Sequence, residues 1–323
     1  MATYVIRRIT ESIPTLFGIL MLAFFALSLA PGDALTALMD PELLAQLTDE
    51  QRSAMRHELG LDQPLPVRFV IWLSDIVQGN LGYSVVNRRM VGDALVARLS
   101  PTLLLMSAAA LTGIPLGIWI GVVAATHQYS PVDYLATGLS TAFITIPGFV
   151  VGLVFVYFFG ARLKILPTTG MVSLGKPFDF LDLFLHMVLP VSLLGLALSA
   201  RVARYTRTSM LEIMSSDFIT TARAKGVQWR LVIWRHALRN ALLPIITVVG
   251  LVLPDLVAGA VITEAIFGWP GMGQLAVMAA SGRDAALMMG VILVIAPAVL
   301  FSTILTDVVY AYADPRIRLE RKA

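Results

Sequence analysis

The chain alternates long apolar stretches with polar segments, and six of the apolar stretches are long enough to cross a lipid bilayer as helices. A hydrocarbon core of about 30 Å requires roughly 20 mostly apolar residues in helical conformation. The predicted spans lie near residues 13–30, 102–125, 134–160, 185–203, 241–262 and 286–310. Prolines within the spans predict helix kinks, because each removes a backbone hydrogen bond. They are Pro115, Pro147, Pro190, Pro244, Pro254 and Pro297.

The first long polar segment, residues 31–101, joins the first two predicted spans and is rich in acidic side chains. Thr48 and Gln51 can cap a helix that Gly60 ends, and the run from Asn80 to Tyr83 is typical of a turn. A connection of this length is more often functional or disordered than a simple linker. The segment is a small outer cap on the span ends, a docking surface for a soluble partner outside, or both.

The second long polar segment, residues 201–239, is basic and contains the pattern of a short helix. Asp217 or Ser216 can cap a helix that begins at Phe218, and small residues follow within it. Membrane topology or contact with anionic lipid headgroups explains the arginines at the end of the fourth span, Arg201, Arg204 and Arg207. A short helix with small side chains instead favours insertion into a groove on another protein.

The composition agrees with the predicted spans and excludes several classes of protein. Of 323 residues, 57% are hydrophobic and 14% are charged, and the mean hydropathy is +0.80. Because soluble domains carry about 25% charged residues, a soluble enzyme, a disordered protein and a collagen-like fibre are excluded. An all-α polytopic membrane protein is predicted instead. The chain has no cysteine and its four histidines are isolated in the sequence, so we predict no metal site.

The distribution of charge predicts that both termini are cytoplasmic. Lys and Arg are concentrated near the amino terminus, in residues 201–239 and in the tail, and the positive-inside rule places such segments in the cytoplasm. The first span, which follows Arg7 and Arg8, also has the pattern of a signal peptide that ends at Ala30. Its apolar run is longer than a signal peptide requires and Pro31 follows directly, which favours a retained membrane anchor.

Several ordered motifs resemble those of one family of membrane transporters. The run Thr221-Ala222-Arg223-Ala224-Lys225-Gly226, with the block at residues 236–244, resembles the inner loop of ATP-binding-cassette importer permeases. Similar blocks occur at residues 59–65, 79–84, 166–170 and 264–273. The general family pattern has Glu-Ala-Ala where this chain has Thr220-Thr221-Ala222, and Leu-Pro where it has Leu238-Arg239. Both departures resemble the peptide branch, on the first of the two permease subunits of oligopeptide and dipeptide importers.

This resemblance implies a type I importer fold with six transmembrane helices and both termini in the cytoplasm. The implied divisions are a cytoplasmic end with the first span (1–30) and a long external loop (31–101). A five-helix core (102–312) follows, with a cytoplasmic coupling loop at about 201–239, and the chain ends in a cytoplasmic tail (313–323). The implied location is the bacterial cytoplasmic (inner) membrane, which the chain crosses several times.

The resemblance also implies the function of a permease subunit in an ATP-driven importer of dipeptides or oligopeptides. The implied partners are a second homologous permease, two nucleotide-binding ATPase subunits, an extracytoplasmic binding protein and membrane lipid, with no nucleic acid. Neither a cofactor nor enzyme activity is expected in this chain, because ATP and Mg bind to the partner subunits. Related importers carry nickel chelates, glutathione-like peptides or oligosaccharides, so the substrate stays open at this point.

The residues expected to couple this chain to an ATPase subunit form one run in the inner loop. They are Asp217, Phe218, Thr221, Ala222, Arg223, Ala224, Lys225 and Gly226. Residues 170–177 imitate a phosphate-binding loop, but Pro177 stands where that loop needs Ser or Thr to hold magnesium. The sequence therefore assigns ATP hydrolysis to partner subunits.

Candidate pathway residues lie in and after the fifth span. Asp255, next to Pro254, is the one clear acidic residue within an apolar span. It lines the pathway, lies near the outer interface or pairs across the boundary with another subunit. Glu264 and Arg283 flank the segment after that span and form a gate or a structural pair. Close helix packing, within this chain or against the second permease, is predicted at Gly113, Gly117 and Gly121.

Two other classes of membrane protein fit the sequence less well. A membrane-embedded hydrolase needs an intramembrane nucleophile with a base, or paired carboxylates, and the sequence shows no convincing set of this kind. An ATP-independent carrier or channel is expected to hold several charges within its spans, and this sequence has essentially one.

Overall fold

The computed structural model describes residues 2–29, 46–58, 62–175 and 177–313. These residues are mostly helical, with one short antiparallel hairpin. The chain divides into two compact units. The first contains residues 1–102 and 270–300, and the second contains residues 103–269 and 301–323.

The helices and strands follow one another along the chain. The first part forms α1 (Ala2–Leu29), α2 (Asp49–Glu58), α3 (Leu65–Val77), β1 (Tyr83–Ser84), β2 (Arg89–Met90) and α4 (Val91–Thr126). The middle forms α5 (Pro131–Thr145), α6 (Gly148–Phe155), a π-helix (Val156–Arg162) and α7 (Phe180–Met214). The last part forms α8 (Asp217–Ala224), α9 (Trp229–Leu231), a second π-helix (Val232–Ala237), α10 (Leu238–Ile266), α11 (Met272–Ser281) and α12 (Ala285–Ala313).

Four helices of the described residues are long and apolar enough to cross a membrane: Val5–Leu29 of α1, α4, α7 and Ala285–Val308 of α12. The pair formed by α5 and Gly148–Arg162 adds a fifth if it is counted as one bent span. α10 covers the fifth predicted span as a continuous helix of 29 residues, although its side chains at 251–259 are not among those described. The chain is therefore a helical membrane protein, and the count of six spans stays a prediction.

The third predicted span is broken into two helices where the sequence predicts a kink. Its halves, α5 and Gly148–Arg162, are bent by 101° at Ile146 and Pro147. Ile146 has an extended backbone, with φ −73° and ψ 126°, because a following proline ring disfavours the helical region. Pro147 also lacks an N–H group, so α5 ends and a second helix begins.

α7 extends beyond the predicted end of the fourth span at residue 203 and continues to Met214. No proline or glycine lies between residues 203 and 214, so nothing ends the helix at the edge of the apolar stretch. The basic residues Arg204 and Arg207 therefore lie on a helix rather than in a loop. The connection that contains α8 is correspondingly shorter than the sequence indicates.

The core of the second unit is an apolar cluster to which α4, α7, α8, the second π-helix and α10 contribute. Its buried side chains include Leu105 of α4, Leu198 and Met210 of α7, Ile219 of α8 and Ile245 of α10. Close packing of this kind limits independent movement of the elements that share it. Because Ile219 belongs to the cluster, α8 is packed against the long helices instead of projecting as an isolated loop.

In the first unit, an aromatic cluster joins α3 to α1. The ring centroid of Phe69 lies 5.4 Å from that of Phe24 and 5.9 Å from that of Trp72.

At the start of α2, Gln51 donates its backbone N–H to Thr48 Oγ1 at 3.3 Å, and Thr48 donates its N–H to Gln51 Oε1 at 3.0 Å. This capping box confirms the predicted start of α2. Gly60, its predicted end, lies outside the described residues.

The predicted turn at residues 80–83 is confirmed. Gly82 donates its N–H to Asn80 Oδ1 at 3.0 Å, and its φ of +83° is one that glycine adopts without steric cost. β1 and β2 follow this turn as an antiparallel hairpin, in which Tyr83 pairs with Met90.

Candidate functional site

The short helix α8 lies between α7 and α9, where the sequence predicts a coupling helix. It begins at Asp217, one residue earlier than predicted. Ser216 occupies the N-cap position, but its hydroxyl donates to the carbonyl of Ile213 and caps nothing in α8. Asp217 lies in the first turn, where a negative charge is favourable near the helix N-terminus. The predicted helix is therefore present, and the predicted side-chain cap from Ser216 is wrong.

Gly226 ends α8 in a left-handed backbone conformation, with φ +75°. Its N–H donates to the carbonyl of Arg223 at 2.9 Å, and the N–H of Val227 donates to that of Ala222 at 3.3 Å. These two bonds form a Schellman motif. A Cβ atom at Gly226 would meet nothing within 4 Å, so the preference for glycine is conformational and leaves space for a side chain.

The two faces of α8 have different surroundings. Ile219 is 1% exposed and packs into the core, and Ala222 packs against the same cluster. The exposed face carries the other members of the predicted coupling run, Asp217, Phe218, Thr221, Arg223, Ala224 and Lys225. The small residues of the motif are therefore divided, because Ala222 is turned inwards while Ala224 and Gly226 are exposed.

Exposed apolar side chains lie on α8 and on the helical segment that follows it. Phe218, Trp229, Leu231 and Trp234 are between 41% and 46% exposed. The guanidinium carbon of Arg223 lies 4.8 Å from the centroid of the Trp229 ring, a cation–π contact between α8 and α9. Phe218, Arg223, Trp229, Leu231 and Trp234 are together named the inner face. Sequence reasoning missed Trp229, Leu231 and Trp234 as parts of it, although two tryptophans directly after a basic helix are a signal of such a surface.

An ion pair that the sequence did not predict joins α5 to α7. Arg207 donates from Nε to Asp133 Oδ1 at 2.6 Å and from Nη2 to Oδ2 at 2.7 Å. Asp133 also accepts a bond from the N–H of Tyr129 at 3.0 Å and one from the hydroxyl of Thr137 at 3.3 Å. Asp133 is only 3% exposed, so this carboxylate is held almost entirely by protein donors. Sequence reasoning assigned Arg207 to topology or lipid contact and assigned no role to Asp133.

The three glycines of α4 lie directly against α7 of the same chain. A Cβ atom at Gly113, Gly117 or Gly121 would lie 2.6, 2.7 or 2.6 Å, respectively, from a backbone carbonyl oxygen of α7. The oxygens belong to Gly195, Ser199 and Ala203. Such distances are too short for any side chain, so the spacing permits backbone contact between the two helices.

The predicted pathway residues are dispersed over the structure. Pro254 and Asp255 lie on α10, but their side chains fall outside the described residues, so their pathway role stays a prediction. Glu264, near the end of α10, is fully buried. Arg283 is exposed and has a left-handed backbone with φ +53° just before α12. Glu264 and Arg283 belong to different units, and their role as a gate or pair also stays a prediction.

The described residues form no metal centre. Within the described part of the chain, no group of three or more His, Cys, Asp or Glu side chains is close enough to hold a metal ion.

A cavity of about 310 Å³ lies beside the break between α5 and α6, and Arg201 and Thr263 are among the residues that line it.

The apolar spans define the class of this chain, which is a multi-span membrane protein. The short helix α8, packed on one side and exposed on the other, gives it a surface that is available to partners. The chain belongs to the family of binding-protein-dependent transport system inner membrane components, whose pattern matches residues 113–319. A second pattern, for the N-terminal part of such components, matches residues 1–106. The chain is therefore a permease component of an ATP-binding-cassette importer in a bacterial inner membrane.

Relatives from several bacteria match over almost the whole chain. The oligopeptide transport system permease protein AppB of Bacillus subtilis is 39% identical over 98% of this chain and 99% of its own length. The glutathione transport system permease protein GsiC of Escherichia coli strain K12 is 36% identical over 98% of this chain and 99% of its own length. An inward-facing structure of the MetNI methionine ABC transporter aligns with a TM-score of 0.57 and 17% identity, covering 68% of this chain and 96% of its own. At that identity, the structural match supports the importer fold alone.

Proposed function

We propose that this chain is the permease subunit of an ATP-driven importer that takes up dipeptides or oligopeptides. The names of two relatives support this, since one is an oligopeptide permease and the other a permease for glutathione, which is itself a small peptide. These names favour peptides over the nickel chelates and oligosaccharides that the sequence left open. An external binding protein delivers the peptide to the outer surface of the membrane.

We also propose six spans, with both termini in the cytoplasm. α10 supplies the sixth span, because its 29 residues extend over about 43 Å, more than the thickness of a hydrocarbon core. The orientation follows from the Lys and Arg residues near the amino terminus, in residues 201–239 and in the tail. With this orientation, α8 and the inner face lie on the cytoplasmic side, where ATP is available.

The proposed assembly contains this chain, a second homologous permease, two nucleotide-binding subunits and the external binding protein, in membrane lipid. The sequence of this chain has no complete phosphate-binding motif, so the nucleotide-binding subunits bind ATP and Mg and carry out the hydrolysis. The permease pair contributes the pathway. This division of labour requires a surface on the permease through which the ATPase subunits act.

The observation that carries the proposal is the structure around α8. The inner face exposes aromatic and cationic side chains, the types that contribute most to protein interfaces. On the opposite side, Ile219 is buried in one cluster with Met210 of α7 and Ile245 of α10. A displacement of α8 is therefore transmitted to both long helices. When the nucleotide-binding subunits close on ATP, α8 moves with them and the pathway changes the side to which it opens.

Transport by the reconstituted complex tests this coupling role. Gly226→Trp adds a large side chain at the exposed end of α8 and meets no atom of this chain within 4 Å of its Cβ. We expect membrane insertion and ATP hydrolysis to persist, and peptide uptake into proteoliposomes to fall by about tenfold or more, because the docking surface is obstructed.

Gly226→Ala is the matched control, because alanine imposes the left-handed backbone strain that tryptophan also imposes and adds only a methyl group. We expect its uptake to stay close to that of the wild type. Wild-type uptake by Gly226→Trp would contradict the role of α8. Peptide uptake by the permease pair without nucleotide-binding subunits would contradict the proposed function as a whole.

A further inference from the structure

The break in the third span creates a cavity of about 310 Å³ within the second unit. Ile146 and Pro147, at the break itself, form one wall, and residues of α7 and α10 form others. Apolar side chains line most of the cavity, among them Phe143 and Phe149 on either side of the break. The sharp bend therefore leaves an apolar space between helices of the membrane region.

Arg201 is the only charged residue among the described residues that line this cavity. It lies on α7, a helix long and apolar enough to cross the membrane. Charged side chains within membrane-spanning segments are rare, usually face a cavity or the interior of the bundle, and commonly mark a substrate pathway. Topology or lipid contact, the roles suggested by the sequence, do not account for an arginine beside an apolar cavity.

We propose that this cavity is a subsite for the peptide on its way through the membrane, in which Arg201 binds the terminal carboxylate. The inference rests on the proposed function and extends it to a named residue. A guanidinium group has five N–H donors and pairs with a carboxylate through two parallel hydrogen bonds. Arg201 can therefore bind a carboxylate and keep its other contacts. Phe143 and Phe149 then contact the side chain of the terminal residue.

The dimensions and the chemistry of the cavity fit one end of a peptide. Small-molecule sites commonly measure about 300–1,000 Å³, and this cavity, at about 310 Å³, is near the lower limit. Its apolar walls discriminate weakly between apolar side chains, since one methylene group changes affinity only modestly. A terminal carboxylate is common to all unmodified peptides. The subsite therefore recognises the end of the backbone and accepts peptides of varied sequence.

Uptake of the tripeptide Ala-Ala-Phe and of its C-terminal amide, by the complete complex in proteoliposomes, tests the subsite. The amide lacks the carboxylate, so the wild type should show a higher KM for the amide than for the acid. In Arg201→Gln, we expect this amide-to-acid KM ratio to fall about tenfold or more, the usual effect of losing a charged hydrogen-bonding partner. The ratio is compared between complexes that contain the same binding protein, so any preference of that protein cancels.

Arg204→Gln is the matched control, because Arg204 lies three residues further along α7 and does not line this cavity. Its KM ratio should equal that of the wild type. If Arg201→Gln does not assemble, Arg201→Lys decides, because lysine keeps the charge and loses the paired hydrogen bonds, so the ratio should fall partway. An unchanged ratio in the Arg201 variant that assembles overturns the subsite. Absence of ATP-driven uptake of Ala-Ala-Phe by the wild type would instead contradict the proposed function, and the subsite with it.

Discussion

Arg207 joins α7 to α5 through the buried carboxylate of Asp133, about two helical turns before α7 ends and leads into α8. The pair therefore connects the helix that precedes α8 with the first half of the bent span. Because Asp133 is almost fully buried, removal of Arg207 would leave a carboxylate without its cation and largely shielded from water. This placement gives the pair a structural role and a position between α8 and the proposed pathway.

We expect Arg207→Gln to destabilise the folded protein by about 3 kcal/mol. Removing one partner of a buried ion pair costs more than removing one partner of an exposed pair, because the remaining charge stays buried without its counter-ion. The thermal unfolding midpoint of the purified complex measures this loss. We also expect fewer peptides to be transported per ATP hydrolysed, since α5 no longer follows α7.

Arg204→Gln is the control for Arg207→Gln, because it removes the same charge from an exposed position on the same helix. It should leave both measurements near wild type. The double variant Asp133→Arg with Arg207→Asp should recover part of the stability lost in either single variant. Failure of the double variant to recover any stability, or equal effects from Arg204→Gln, would show that the pairing itself is not what matters.

The contact between α4 and α7 gives a second prediction. Gly117→Ala places a methyl group 2.7 Å from the carbonyl oxygen of Ser199, so the two helices must separate. We expect a loss of about 1–3 kcal/mol in stability, the range found for overpacked interiors. Chemical or thermal unfolding in detergent measures it.

Gly138→Ala is the matched control for Gly117→Ala, because Gly138 also lies within a helix and a Cβ atom there meets nothing within 4 Å. Alanine favours the helix by about 0.5–1 kcal/mol over glycine, so this variant should be neutral or slightly more stable. Equal destabilisation by the two variants would indicate that helix contact does not require glycine at Gly117.

The helices were predictable from the sequence because their signal is local. Apolar stretches of sufficient length indicate each span, and the motif that ends at Gly226 indicates α8. The break at Pro147 was not predictable in the same way. Pro115, Pro190 and Pro297 occur in similar apolar stretches, yet α4, α7 and α12 continue through them. Neighbouring helices and side chains can satisfy the backbone groups that a proline leaves free, and this compensation is not visible in the local sequence.

The polar contacts of the fold were not predictable for a related reason. Asp133 and Arg207 are 74 positions apart, and each looks like an ordinary charged residue near the end of a predicted span. Arg201 and Arg207 lie on the same helix and received the same interpretation from the sequence. The structure separates them, because one lines a cavity and the other pairs with Asp133.

A third prediction concerns Asp284, which holds the β1–β2 hairpin of the first unit. Its Oδ2 accepts bonds from the hydroxyl of Ser84 at 2.7 Å and from the N–H of Val86 at 3.1 Å, and its Oδ1 accepts from the N–H of Leu287 at 2.9 Å. Asp284→Ala should cost about 1–3 kcal/mol, since buried donors lose their acceptor and α12 loses its N-terminal cap. Amide hydrogen exchange at residues 84–90 should become faster.

Ser84→Ala provides the graded comparison for Asp284→Ala. It removes the hydroxyl that donates to Asp284 and accepts from the N–H of Asn87 at 3.1 Å, and it leaves the bonds from Val86 and Leu287 to Asp284 in place. Exchange should therefore become faster at Asn87 and stay slow at Val86, whose N–H loses its acceptor only in Asp284→Ala. Exchange at residues 84–90 that is as slow in Asp284→Ala as in the wild type would contradict a role for Asp284 in holding the hairpin.

The last prediction concerns pH and the exposed pair formed by His57 Nδ1 and Asp62 Oδ2, which lie 2.7 Å apart. The hydrogen bond to Asp62 and its negative charge raise the pKa of His57, and the same bond lowers the pKa of Asp62. The stabilisation from His57 is therefore present below about pH 6.5 and lost as pH rises through its raised pKa. NMR titration should give a His57 midpoint above about 6.5, and Asp62→Asn should return it towards that value. A His57 midpoint that Asp62→Asn does not move would show that the pair does not form in solution.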